Sequence, residues 1–223
     1  MEKLIVFLAA VWAAGAWASV SEVHEFEPAA GQAAAMYQAA TEAKAIQTKL
    51  GATVFIGTDL ATGNLQYVLT FPDWGAWAAF EPKLQASKDW AAFIKKYDVA
   101  NPASTQVGML FIDTPVVAKT LPVATVFSWK ILPGKFDAFM AIAQKAVAIH
   151  NALGASAGIN IDDVGNVHYE LTFDSWASWA KFNAALQKSA EWAALLKEAN
   201  ATPTGELMRV LRVEEFKAPG TAQ

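Results

Sequence analysis

The fold is decided by a stretch that the chain contains twice. Residues 63–92 read GNLQYVLTFPDWGAWAAFEPKLQASKDWAA, and residues 165–194 read GNVHYELTFDSWASWAKFNAALQKSAEWAA. The two stretches align without a gap at an offset of 102, and sixteen of their thirty positions are identical. Shared helical composition does not produce identity at this level. The sequence therefore predicts two copies of one structural unit.

The correspondence extends beyond these thirty residues in both directions. Upstream the offset becomes 103, so that Leu-Gly-Ala at 50–52 matches Leu-Gly-Ala at 153–155; downstream it becomes 101, and Pro102 matches Pro203. These limits and the composition of the ends divide the chain into five parts. They are a signal peptide over 1–18, a first unit over 19–114, a linker over 115–122, a second unit over 123–216 and a flexible tail over 217–223.

Within each unit the hydrophobic period changes in a fixed order. Alternation predicts strands, a period near 3.6 predicts helices, and Gly154 suits the left-handed end of a helix. In the second unit the successive elements are predicted over residues 123–131, 133–153, 155–162, 167–173, 176–199 and 206–214. Their order, strand-helix-strand-strand-helix-strand, is the ferredoxin-like pattern.

A four-stranded sheet with both helices on one face leaves its other face uncovered. Two such sheets packed against each other bury both bare faces, and a tandem repeat supplies them in a single chain. The predicted fold class is therefore α+β, with two tandem ferredoxin-like βαββαβ repeats forming an α+β barrel within one chain. We expect a monomer.

The first eighteen residues, MEKLIVFLAAVWAAGAWA, have the layout of a secretory signal peptide cleaved after Ala18. Their apolar run of about fifteen residues is shorter than the roughly twenty that a membrane span needs. Ser19 and Ser21 follow at once. We therefore expect a periplasmic or secreted protein without stable membrane insertion after cleavage.

Composition argues against several classes of function. The 17 Lys and Arg residues against 21 Asp and Glu leave a formal charge of −4, which argues against nucleic acid as a partner. The absence of cysteine excludes a thiol nucleophile, disulfides and Cys-ligated metals. The sequence has no zinc-binding His pair, serine-nucleophile elbow, phosphate loop or calcium loop, so hydrolases, kinases and classical metalloenzymes are not favoured. We predict no metal site and no permanent cofactor.

Three short segments carry a resemblance to a known superfamily. They are Leu-Pro-Gly-Lys at 132–135, Leu-Gly-Ala at 153–155, and Phe-Asp-Ser-Trp-Ala-Ser-Trp at 173–179 with Glu191-Trp192 beyond it. With these segments, the unit resembles the dimeric α+β barrel superfamily, particularly antibiotic-biosynthesis-monooxygenase-like and NIPSNAP-like domains. The resemblance covers nearly all of both units. Members usually build the barrel by homodimerising, and here the two units would play the two subunits.

The resemblance implies a fold but leaves the chemistry open, because the superfamily includes cofactor-independent oxygenases as well as haem-degrading and haem-binding enzymes. Cofactor-independent members use Asn, Trp, Tyr or Arg side chains in a cleft between sheet and helices. Haem-degrading members pair an Asn and a Trp with a helix histidine, and neither Trp-rich helix here contains one. Of the other histidines, His150 is expected to be a cation at a helix end and His24 to be solvated at a strand edge.

The third strand of each unit supplies the candidate catalytic residues. It reads LQYVLTF at 65–71 and VHYELTF at 167–173, so the second copy gains His168 and Glu170. A period of two directs both side chains into the barrel, while Tyr169 faces the helices. His168 and Glu170 would act as a base and its orienting partner, or would ligate a metal with a third group. The candidates to join them are Asn160 and either Arg209 or Arg212. The alternative is that these polar groups only satisfy one another inside the barrel.

Aromatic side chains supply the candidate ligand contacts. Tyr169, Trp176 and Trp179 would line the site of a flat apolar molecule. The alternative is that the tryptophans clamp helix to sheet, since both units have them. The leading hypothesis is a protein that binds a small apolar or aromatic molecule. The alternatives are a cofactor-independent monooxygenase-like enzyme that uses His168 and Glu170, and a structural or interaction module with a filled interior.

Overall fold

The computed structural model describes residues 19–217, and for residues 107–113 it describes only the backbone. The predicted signal peptide and nearly all of the predicted tail lie outside these residues. Within the described part of the chain, no helix is long and apolar enough to cross a membrane.

The described chain contains eight strands and six helices. The first half comprises β1 (Val20–Pro28), α1 (Ala33–Leu50), β2 (Thr53–Asp59), β3 (Leu65–Phe71), α2 (Trp74–Ala86), α3 (Lys88–Ala100) and β4 (Ala103–Val116). The second half comprises β5 (Val123–Ile131), α4 (Phe136–Ala152), β6 (Ser156–Asp162), β7 (Val167–Phe173), α5 (Trp176–Leu186), α6 (Ala190–Ala201) and β8 (Gly205–Glu215). The last two residues of β4 fall within the predicted linker.

The Trp-rich helix is two helices in each half, so the continuous helix predicted over 176–199 is wrong. In the second half, Ser189 starts α6 by accepting a hydrogen bond from the backbone N–H of Trp192, at 3.1 Å. In the first half, Ser87 caps α3 in the same way through Trp90. A serine cap satisfies free N–H groups and so permits a new helix to start. The apolar period continues across the break and conceals it.

The eight strands close into a barrel in the order β1-β3-β2-β8-β5-β7-β6-β4. Each half contributes four neighbouring strands in the same relative order, β4-β1-β3-β2 and β8-β5-β7-β6. The halves meet at two antiparallel joints, β2 with β8 and β4 with β6. The sheets therefore bury their inner faces against each other, as the duplication predicts.

Strand alternation gives the barrel two distinct surfaces. On β7, Tyr169, Leu171 and Phe173 are buried in a core beneath the helices of the second half. His168, Glu170 and Thr172 line the interior of the barrel. A second core beneath the first-half helices is built around the corresponding residues of β3. The protein thus offers three places for a ligand: the barrel interior and the two layers between sheet and helices.

Candidate functional site

A cleft of about 470 Å³ lies between sheet and helices in the first half. Strands β1 and β3 form its floor, and helices α1, α2 and α3 form its walls. Its apolar lining comes mainly from residues of α1 and α3. These residues include Met36, Ala39, Ala40, Ala43, Trp90, Phe93 and Ile94.

Acidic and imidazole side chains lie close together where β1 lines the floor of this cleft. The Nε2 atom of His24 lies 2.7 Å from Glu22 Oε1, and the indole N–H of Trp77 donates to Glu22 Oε2 at 3.0 Å. Glu22 is 6% exposed. Glu81 also lines the cleft, and burial together with the nearby charge of Glu22 raises the pKa of its carboxyl. The cleft therefore presents a hydrogen-bonded Glu-His pair to an apolar cavity.

A second polar pair lies on the floor of the cleft. The hydroxyl of Tyr67 donates to the side-chain carbonyl of Gln47, which is itself buried on α1. Burial, with the charge of Glu22, raises the pKa of Tyr67 above its usual value. Tyr67 is therefore a neutral hydrogen-bonding group at ordinary pH.

The corresponding layer of the second half has different side chains at positions that line the first-half cleft. At the positions of Met36, Phe26 and His24, the second half has larger or fully apolar groups. These residues are Phe139, Trp129 and Phe127, respectively. Trp129 and Phe139 contact each other with ring centroids 5.8 Å apart. The cavity of the first half is thus lined with an ionisable group at a position where the second half has an aromatic ring.

His150, which replaces Gln47, completes the packing of the second half. Its ring lies 4.6 Å from that of Trp192 and 5.4 Å from that of Phe182, and its Nδ1 is 2.8 Å from the hydroxyl of Tyr169. Burial lowers the pKa of His150 to about 4. The prediction of a cationic residue at a helix end is therefore wrong, because desolvation outweighs the helix dipole.

Some proteins of the superfamily that the chain resembles bind haem. The surroundings of His150 indicate whether a haem could fit beside it here. The ring is 4% exposed and is enclosed by Tyr169, Phe182 and Trp192. A haem beside it would have to displace at least one of these aromatic rings. The residues of the second-half layer therefore do not fit a haem.

His24 was expected at a solvated edge and lies elsewhere. Strand β1 is paired on both sides, with β3 and with β4, so it is not an edge strand. The His24 side chain is 19% exposed and faces the first-half cleft. Closure of the barrel, which turns every strand into a central one, is the physical reason.

The barrel interior is a separate cavity of about 300 Å³ and contains the predicted catalytic pair. The structure gives His168 and Glu170 different partners. His168 contacts Ser128 and Asp162, at 2.9 Å and 3.0 Å, whereas Glu170 accepts a 3.4 Å bond from Asn160. Two residues apart on a strand, the side chains run parallel and reach different neighbours. Asp162, not Glu170, is therefore the carboxylate that orients His168.

Glu170 lies in an environment that disfavours its charged form. It lies deep in the protein and keeps its remaining surface on the barrel cavity. Burial raises the pKa of its carboxyl, and the hydrogen bond from Asn160 offsets only part of that effect. Asn160 in turn accepts from the hydroxyl of Thr114 at 2.8 Å, so these polar groups satisfy one another.

The two candidate arginines lie on opposite faces of β8. Arg209 lines the barrel and binds Glu25 through two contacts of 2.5 and 2.9 Å. Arg212, three residues later, is exposed outside the barrel and does not join the predicted cluster. Burial by itself would raise the pKa of Glu25, but hydrogen bonds from Arg209 and Asn64 outweigh it and hold the pKa below its usual value.

The predicted aromatic contacts belong to the second-half core. Tyr169 binds His150, Trp179 donates to the Thr125 hydroxyl at 3.3 Å, and Trp176 packs edge-on against Trp179 at 5.8 Å. These contacts match the alternative in which the tryptophans clamp helix to sheet.

The residues that line the first-half cleft were missed at the sequence level. Glu22, His24 and Glu81 have no charged counterpart in the second half, where Thr125, Phe127 and Asn183 stand. Comparing the copies at every element, and not only at the third strand, would have revealed them. In the described range 19–217, no group of three His, Asp or Glu side chains is placed to hold a metal ion.

Sequence comparison finds no relative, but structural comparison does. No protein-family model and no curated protein matches the chain. A candidate monooxygenase of Lactobacillus acidophilus NCFM aligns with a TM-score of 0.63 at 12% identity, covering 89% of this chain and 94% of that chain. A candidate monooxygenase of Fusobacterium nucleatum gives the same TM-score and identity over 90% and 93%. An anthrone oxidase-like protein aligns at 0.58 and 10%, over 90% and 92%.

The chain has the fold of these proteins. The predicted α+β barrel architecture is thereby confirmed. At identities this low the likeness assigns no activity, which must be argued from the site.

Proposed function

We propose that the first-half cleft binds a small, largely apolar molecule. The observation that carries the proposal is the 470 Å³ cleft itself, an apolar cavity lined by a hydrogen-bonded Glu22-His24 pair that has no charged counterpart in the second half. Ligand sites are typically apolar cavities with a few convergent polar groups. Glu22, His24, Gln47 and Tyr67 are such groups here. A structural module with a filled interior is correspondingly disfavoured.

Binding can be tested with N-phenyl-1-naphthylamine, a neutral probe that fluoresces when it enters an apolar site. The variant Met36→Phe gives the first half the residue of the second. It is expected to weaken probe binding at least about tenfold, because the extra ring occupies the cleft. The matched control is Phe139→Met, which makes the reciprocal change in the second half and should leave the affinity unchanged.

Two results would refute the binding proposal. One is undiminished probe binding by Met36→Phe when circular dichroism shows that the variant is folded. The other is loss of binding in Phe139→Met alone, which would move the ligand to the second half.

The second candidate function is a cofactor-independent monooxygenase-like activity in the same cleft. The Glu22-His24 pair favours it, since a base at the end of an apolar cavity can take a proton from a bound phenol or anthrone-like molecule. The carbanion of an anthrone so formed would add O₂ to give a hydroperoxide, which loses water and leaves one oxygen atom in the new carbonyl group. The reaction class that we propose is the one in the names of the structurally similar proteins. The base that we propose lies on β1, whereas the sequence analysis placed the base, His168, on β7.

Oxygen uptake with an anthrone as substrate tests this activity. The variants Glu22→Thr and His24→Gln, which remove the acid-base pair without adding volume to the cleft, are expected to lower the rate by about 100-fold or more while the naphthylamine probe still binds. Loss of uptake only in the double variant His168→Gln with Glu170→Val would place the reaction in the barrel, as the sequence predicts. Unchanged uptake in all of them would remove both assignments.

We also propose that the two halves are ferredoxin-like copies of one unit and that the protein is exported as a monomer. The repeated sequence and the repeated strand order support the duplication. The signal-like residues 1–18 support export to the periplasm or medium. The intact mass of the exported protein should correspond to a chain that begins at Ser19; a retained segment 1–18 would contradict export by cleavage.

A further inference from the structure

Three side chains inside the barrel form a hydrogen-bonded chain of hydroxyl, imidazole and carboxylate. The Oγ atom of Ser128 on β5 lies 2.9 Å from His168 Nδ1 on β7. The Nε2 atom of the same ring lies 3.0 Å from Asp162 Oδ2 at the end of β6. No sequence motif indicates this group, because its members come from three different strands. Along the chain they occur in the order Ser, Asp, His.

The surroundings of Asp162 determine the direction of these bonds. Its Oδ1 accepts from the backbone N–H groups of Val164 and Asn166, and its Oδ2 accepts from the side-chain amide of Asn166. An ionised carboxylate only accepts, so His168 must donate from Nε2. In the neutral ring Nδ1 then carries the lone pair and accepts the hydroxyl proton of Ser128. This is the protonation pattern that a serine nucleophile requires.

The first half shows that the arrangement is not a by-product of the repeat. At the positions of Ser128 and His168 it has Glu25 and Gln66, although Asp59 is retained in place of Asp162. The first-half group therefore has neither the nucleophile nor the base. Instead Glu25 and Asp59 bind Arg209.

The triad faces a cavity that can admit a substrate. Ser128 and His168 both line the 300 Å³ barrel interior, whose lining continues to Ser19 and the segment 117–121. Arg209, directly opposite Ser128 in the β5–β8 register, brings a guanidinium to the same cavity. That guanidinium is paired with Glu25 and Asp59.

We propose that Ser128, His168 and Asp162 form a second site, which transfers the acyl group of small esters to water. Ser128 Oγ attacks the ester carbonyl while His168 Nδ1 takes the hydroxyl proton. The tetrahedral intermediate expels the alcohol, which receives that proton from His168 and leaves an acyl-serine. A water molecule, deprotonated by His168, then releases the acid and restores the serine. Asp162 is a positioning residue that holds the ring.

The direct test is covalent labelling of the full mature chain with a fluorophosphonate, which phosphonylates an activated serine and releases fluoride. Peptide mass spectrometry of the wild-type protein should locate the label on Ser128. Absence of labelling, or labelling only at other serines, overturns the proposal without requiring any variant to fold.

Hydrolysis of p-nitrophenyl acetate supplies the kinetic test. Ser128→Ala and His168→Gln should each lower kcat by at least about 100-fold, and Ser104→Ala, an exposed serine on β4, is the matched control. Asp162→Asn should lower kcat with little change in KM. Wild-type rates in the folded Ser128 and His168 variants would overturn the proposal.

The triad does not depend on the proposed function. Met36→Phe should leave both labelling and hydrolysis unchanged, and Ser128→Ala should leave naphthylamine binding unchanged. Failure of one site is therefore distinguishable from failure of the other.

Discussion

Single side chains make the two halves of the barrel differ beneath their helices. Gln47 and His150 occupy the same place in the repeat and bind equivalent tyrosines, Tyr67 and Tyr169. Only His150 is a ring packed between Phe182 and Trp192. One substitution thus contributes both to closing the second-half layer and to creating a buried titratable group.

His150 is expected to make stability depend on pH. Its pKa is about 4 in the folded protein and near 6.5 when unfolded, so folding favours the neutral ring. Stability is therefore full above pH 6.5 and falls as pH drops from there towards 4, by about 2 kcal/mol at pH 5. Urea unfolding of wild type and His150→Gln at pH 7 and pH 5 measures this loss, which the variant should lack. Equal pH dependence in both proteins would contradict the buried neutral histidine.

For single residues, the sequence predicted which face of the sheet a side chain lies on better than it predicted the hydrogen-bond partners of that side chain. Alternation on β7 placed His168 and Glu170 inside the barrel, where the structure has them. Their partners depend on which neighbouring strand ends close by, and here the β6–β7 hairpin brings Asp162 to His168. The alternation of residues along a single strand does not specify which residues of a neighbouring strand it will contact.

Among the elements, the broken Trp-rich helix shows how a cap overrides periodicity. Ser87 and Ser189 are identical in the two copies, and each starts the second of the two helices; Ser87 also ends α2, whereas α5 has Gln187 as its C-cap. The break lets α3 turn back along α1, which it contacts through the Lys96–Glu42 ion pair. The first-half cleft depends on this turn because α3 supplies its aromatic wall.

Removing a cap should destabilise the second half measurably. Ser189→Ala is expected to lower the free energy of unfolding by about 1 kcal/mol, because the N–H of Trp192 loses its acceptor. Chemical denaturation compares this variant with Ser104→Ala, an exposed strand serine whose loss should change little. A Ser189 variant as stable as the control would show that the cap does not hold α6.

At the scale of the whole molecule, the repeated sequence corresponds to two sets of four strands that close one barrel. The repeat predicted two bare sheet faces, and the structure buries them by pairing β2 with β8 and β4 with β6. The choice of functional cavity could not be predicted in the same way. It depends on the summed volumes of side chains from four or five elements, such as Met36 against Phe139, which no single stretch of sequence displays.

We propose that the two halves share a fold but that only the first half binds the ligand, in the cleft between its sheet and its helices. A crystal structure of the protein with N-phenyl-1-naphthylamine tests it most directly. The account predicts density between α1 and α3 and the β1–β3 floor, in contact with Trp90 and close to Glu22, and none between α4 and β7. Density in the second-half layer, or only inside the barrel, would contradict it.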